Sequence, residues 1–125
     1  MKTLTTVLVL AGMAVARAQA GCDYPKAPDN VPNGSTASKA EMLAAARMYR
    51  DYNAQIKSYT DCLKVEHDAQ VAKIDPKLPP DQQAARKAEL DKILAQKNDA
   101  AVDEATAATD RFNAQIHAYN DKHKG

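Results

Sequence analysis

The chain has 125 residues, with 17 basic and 16 acidic side chains, no tryptophan and a single phenylalanine. A charge balance this even lacks the concentrated excess of Lys and Arg that binding to nucleic acid or an anionic membrane surface requires. The length suits one domain.

Residues 1–20 carry Lys2, a largely apolar run from Leu4 to Val15, and small residues Ala18 and Ala20 around Gln19. This is the anatomy of a secretory signal peptide, with cleavage expected after Ala20 and a second small-x-small site at Ala16-Arg17-Ala18. The run is shorter than the about 20 apolar residues that span a bilayer. Nothing later in the chain is continuously apolar, so the mature protein is expected to be soluble, with no transmembrane segment. A lipoprotein reading takes Gln19-Ala20-Gly21-Cys22 as the processing signal and anchors the chain through Cys22. Gln19 disfavours it, standing where such signals carry a leucine-like residue. The expected address is periplasmic or secreted. Lys2 and Arg17 leave with the leader, so 15 basic residues face 16 acidic ones in the mature chain, a net charge of −1.

Residues 21–37 hold Gly21, Pro25, Pro28, Pro32 and Asn33-Gly34, the composition of an extended strip closed by a turn. From Ser35 to Asp75 and from Asp81 to Lys124 there is neither Gly nor Pro. These stretches predict two helices, 38–74 and 81–122, joined by a proline turn at 75–80. Ser38 with Glu41 three residues later is a capping box. Met42, Ala45, Tyr49, Tyr52, Ile56, Tyr59 and Leu63 then alternate steps of three and four, a heptad seam. Past Leu63 the rhythm fails at Glu66 and Gln70 and moves sideways to Val71 and Ile74. Lys57, Asp61, Lys64 and Asp68 repeat on another face as a solvated line of alternating charge.

The second helix is expected to open near Pro80 and Asp81. Its apolar line runs Leu90, Leu94, Ala101, Ala105, Ala108, Phe112, Ile116 and Tyr119, with alanine in the middle allowing close backbone approach. Two long helices and a short connection favour an antiparallel hairpin. Tyr52-Asn53-Ala54-Gln55-Ile56 with Tyr59 recurs 60 positions later as Phe112-Asn113-Ala114-Gln115-Ile116 with Tyr119. The echo reads either as a repeated docking surface or as convergent use of a good seam pattern.

Cys22 and Cys62 are the only cysteines, and in an exported chain they are expected to pair. Cys62 lies about 36 Å along the helix from Ser38, while the strip can reach about 50 Å in polyproline form. The strip must therefore fold back along the helix, laying Tyr24, Pro25, Pro28 and Val31 over the groove between the helices. Small cores commonly need such a staple. The expected fold is all-α: a long antiparallel helical hairpin with an extended Pro-rich strip packed along it and held by one disulfide.

No phosphate loop, H-E-x-x-H, nucleophile elbow or EF-hand loop occurs. His67 stands far from His117 and His123, which are themselves six apart, so the three do not converge on one metal site. No catalytic residue, cofactor or metal ligand is assigned, and no enzyme activity is expected. Tyr24, Tyr49, Tyr52, Tyr59, Phe112 and Tyr119 are the candidate interaction surface, although their spacing equally suits a core seam. The partner expected is another protein or a second copy, with a four-helix bundle as the simplest form. A small-ligand or metal-binding periplasmic carrier is the alternative.

The run Cys22-Asp23-Tyr24-Pro25, Pro28, Val31-Pro32-Asn33-Gly34-Ser35-Thr36-Ala37 and Glu41-Met42, then Tyr52, Tyr59, Cys62 and Phe112-Asn113-Ala114-Gln115-Ile116 with Tyr119, resembles a group of small exported helical proteins of Gram-negative bacteria. That resemblance implies the same address and architecture. It also supports the tethered strip, but it brings no catalytic residue with it.

Overall fold

The structure is a computed structural model that describes residues 21–124; the leader assigned to 1–20 lies outside the described residues. Two helices, α1 (Lys39–Val71) and α2 (Pro80–His123), pack against each other, and there is no strand among the described residues. Their antiparallel register is set by Tyr49 stacking flat on Phe112, with ring centroids 4.6 Å apart, and by His67 meeting Asp91 nearer the tip.

α1 begins where the capping box places it. The Ser38 hydroxyl accepts from the Glu41 amide at 3.3 Å, and the Glu41 carboxylate accepts from the Ser38 amide at 2.7 Å. The helix ends at Val71, three residues before the expected Ile74. Lys73 and Ile74 instead donate to the carbonyls three residues back, Gln70 and Val71. Asp75 precedes Pro76, a position forced out of the helical region, so the chain tightens and turns early. α2 starts on Pro80, whose missing amide costs nothing in a first turn. The Gln83 side chain ties the connection back by donating to the Leu78 and Pro76 carbonyls.

The buried part of α1 is Met42, Ala45, Tyr49, Tyr52, Ile56, Tyr59 and Leu63, the complete heptad seam. On α2 only Ala101, Ala108 and Phe112 are buried, while Leu94, Ala105, Ile116 and Tyr119 pack partly against this core. Alanine at the contact brings the backbones close but supplies little area, so the larger side chains of the α1 seam, its three tyrosines among them, fill the contact.

Residues 21–37 form the third layer. Cys22 is bonded to Cys62, which leaves no thiol at Cys22 for a lipid anchor. From there Pro25 is buried and Ala27 and Val31 pack partly on the core. The strip then turns at Asn33, which accepts from Thr36 and Ala37 through its carbonyl and from the Ser35 amide through its side chain. Gly34 is seated on the backbone of α2: its amide donates to Gln115 Oε1 at 2.9 Å. A Cβ there would overlap the Gln115 carbonyl and stand 2.8 Å from the Tyr119 amide nitrogen. The requirement for glycine is thus one of space, because no residue among the described ones has a positive φ.

Both groups that would meet the new methyl are backbone, so Gly34→Ala is expected to lower stability by about 1–3 kcal/mol through overpacking. Thermal melting should show a fall of several degrees. Gly21→Ala, where no atom lies within 4 Å, should melt like the parent chain.

Candidate functional site

The six aromatic residues put forward as an interaction surface divide into two groups. Tyr49, Tyr52, Tyr59 and Phe112 are sealed in the core, Tyr49 and Tyr52 being only 3% and 2% exposed. These four are consumed within the chain and cannot meet a partner in this conformation. Tyr119 is half-buried and stacks on His123, whose Nδ1 donates to the Tyr119 carbonyl at 2.7 Å. Tyr24 alone is well exposed, at 46%. Its ring meets Tyr59 edge-on at 5.0 Å, and its hydroxyl donates to Glu104 at 2.6 Å. Donation to that carboxylate, with a smaller contribution from burial, pushes the Tyr24 hydroxyl up to about 12. The bond therefore persists across the physiological range.

The internal echo acquires a meaning here. Tyr59 of the first copy holds the front of the strip at Tyr24, and Gln115 of the second copy holds its far end at Gly34. The repeated element docks the chain's own strip at two points. The closure leaves the Tyr49 and Tyr52 hydroxyls buried without a hydrogen-bond partner among the described residues, each at a cost of about 1–3 kcal/mol.

Beyond the strip the molecule changes character. No residue from Lys64 to Ala100 is buried. In this distal half the face that carries the strip continues as an open groove. Glu66, whose carboxylate lies 3.6 Å from Cys22 Sγ, stands where the strip ends. The groove then runs past Gln70, Leu90 and Ile93 to Ile74 and Leu78. Ile93 is 41% exposed. Charged side chains rim it: Glu66 on α1, Lys73 and Asp75 in the connection, and Arg86, Glu89 and Lys97 on α2.

The opposite face carries ion pairs along each helix and a shallow hollow lined by Asp61, Lys64, His67, Asp68 and Asp91. Lys57 pairs with Asp61, Lys64 with Asp68 and Lys87 with Asp91, all at 2.6–2.8 Å. His67, which sequence spacing separates from the other two histidines, joins the helices there. Its side chain is 13% exposed, with Nε2 2.7 Å from Asp91 and Nδ1 3.1 Å from Asp68. Only the imidazolium donates from both nitrogens, and the hydrogen bonds to Asp68 first and then Asp91 raise its pKa. The same contacts lower the two carboxylates, each held down first by its lysine and then by His67. The hairpin register that pairs Tyr49 with Phe112 is the signal that could have brought His67 and Asp91 together. His117 is exposed on α2. Among the described residues no group of three or more His, Cys, Asp or Glu side chains is placed to hold a metal ion.

The geometry defines a disulfide-stapled helical hairpin whose proximal half is sealed by its own strip and whose distal half offers an open apolar groove. No protein-family model matches the chain, and no curated protein or solved structure matches it either.

The His67 crossing should impose a pH dependence on the distal half. A histidine raised in the folded state contributes fully below its ordinary value of 6.5, and that contribution is lost as pH rises through its folded value. The lowered aspartates contribute above their ordinary 3.8, with loss as pH falls through their folded values. His67→Asn is therefore expected to lower the melting temperature most between pH 3.8 and 6.5, by a few degrees. Melting curves across pH should show the gap between variant and parent narrowing above pH 6.5.

Proposed function

We propose that the mature chain is a noncatalytic association protein of the periplasm or extracellular space, and that it meets its partner through the distal half of the hairpin. The observation that carries this reading is the contrast between the two halves. Where the strip lies, seven residues of α1 are buried; from Lys64 to Ala100 none is, although Val71, Ile74, Leu78, Leu90 and Leu94 keep apolar side chains half-buried along the contact. A helical pair with an unfilled apolar groove is the shape that accepts another helix or helical pair.

The address rests on the leader-like sequence of residues 1–20 together with the disulfide, a bond that oxidising compartments preserve. No helix among the described residues is long and apolar enough to cross a membrane.

Photo-crosslinkers introduced separately at Ile93 and Val102 of the exported, oxidised chain test the surface. Both positions are exposed, and the nine residues between them put them on opposite sides of α2. A discrete adduct from Ile93 but not from Val102 is expected. Adducts from both positions, or from neither, would contradict the assignment.

A further inference from the structure

The Asn33-Gly34 step that turns the strip toward α1 is also a reactive one. In an Asn-Gly step the glycine nitrogen, on losing its proton, attacks the asparagine side-chain carbonyl carbon, and no glycine side chain obstructs the approach. The new Cγ–N bond closes an imide ring and the side-chain amide group leaves as ammonia. Water then opens the ring at either carbonyl, giving aspartate or isoaspartate. Asparagine and water are consumed, acid and ammonia are formed, and no oxidant or other reactant is needed.

In this chain the attacking group is engaged elsewhere. The Gly34 amide donates to Gln115 Oε1 at 2.9 Å, and Gly34 itself is buried against the α2 backbone. Asn33 Oδ1 accepts from the Ser35 amide at 3.0 Å. Asn33 is exposed, so the seating of Gly34 on α2, and not burial of the asparagine, withholds the reaction. Gln115 holds that seat together with Lys122, whose ammonium donates to the Ser35 carbonyl.

We infer that Asn33 is a self-modification site, silent while the far end of the strip is docked and reactive when that end lifts from α2. The inference is independent of the association reading. Isoaspartate makes the lift permanent. It routes the backbone through the former side-chain carbon, adding one atom and about 1.5 Å of chain before Gly34. The seat has no room for that, since even a Cβ at Gly34 would overlap the Gln115 carbonyl. The Asn33 carbonyl that accepts from Thr36 and Ala37 also leaves the peptide path and becomes a free carboxylate. Aspartate keeps the ordinary backbone and an oxygen for the Ser35 amide, so that product redocks. The site is thus a one-way release of the strip's far end, while the disulfide keeps the front in place.

The test is incubation of the purified, oxidised chain at mildly alkaline pH, folded and in denaturant, with peptide mass spectrometry following the conversion of Asn33. The folded parent should react far more slowly than the denatured chain. Gln115→Ala removes one hydrogen bond from the seat and should speed the folded reaction about fivefold, with the denatured rate unchanged. Lys122→Ala should act in the same direction, whereas Lys57→Ala, away from the strip's far end, should not. Circular dichroism checks each variant for folding, and Lys122→Ala carries the comparison alone if Gln115→Ala fails that check. Hydrogen exchange at the Gly34, Thr36 and Ala37 amides should be fast in the isoaspartyl product and slow in the aspartyl one. A folded parent that reacts as fast as the denatured chain, folded seat variants that react at the parent's rate, or an isoaspartyl product with the parent's protection would overturn the inference.

Discussion

Two antiparallel helices enclose a side chain between them on two sides and leave it open along both flanks. The Cys22–Cys62 bond closes one of those flanks by holding residues 22–34 in the groove, and the sealed core depends on that closure. The ten buried hydrophobic residues of the two helices fall within Met42–Leu63 on α1 and Ala101–Phe112 on α2, the span the strip covers. With the cysteines 40 residues apart, closing the loop beforehand contributes about 4 kcal/mol in the chain-entropy account. That is of the same order as the cost of two buried, unpartnered tyrosine hydroxyls.

The strip is held along its length as well as at its end. Tyr24 is fixed by an edge-on ring contact and by a hydroxyl bond to Glu104. Its far end is fixed by Gly34 on the α2 backbone and by the Lys122 ammonium donating to the Ser35 carbonyl. Because the strip spans both helices, it reinforces the register that Tyr49 and Phe112 set in the proximal half. In the distal half the register is set by His67 between Asp68 and Asp91. The covalent device does not respond to pH, whereas the ionic one does, so the two halves of one hairpin are stabilised by different chemistry.

Much of this was legible before any coordinates. The three-and-four spacing of Met42 through Leu63 marks the buried seam because a helix turns every 3.6 residues and a partner helix sees one stripe. The break in that spacing at Glu66 and Gln70 marks the place where the strip ends and the open groove begins. The capping box and the pairing of two lone cysteines follow from local chemistry and compartment. What was not legible depends on relations between distant segments. Asn33-Gly34 signals a turn in sequence, but the close approach to Gln115 is visible only once α2 lies beside it. The aromatic positions fit a core seam and an exposed surface equally well, and burial decides for Tyr49, Tyr52, Tyr59 and Phe112.

The central claim is that the disulfide-tethered strip, and not the helical pair alone, seals the core. Amide hydrogen exchange on the oxidised chain and on a Cys22→Ser/Cys62→Ser variant tests it most directly. Protection of the amides in 42–63 and 101–112 should fall by as much as about a thousandfold in the variant, the equivalent of about 4 kcal/mol, while 64–100 changes little. Equal protection of the proximal amides in both proteins would contradict the account.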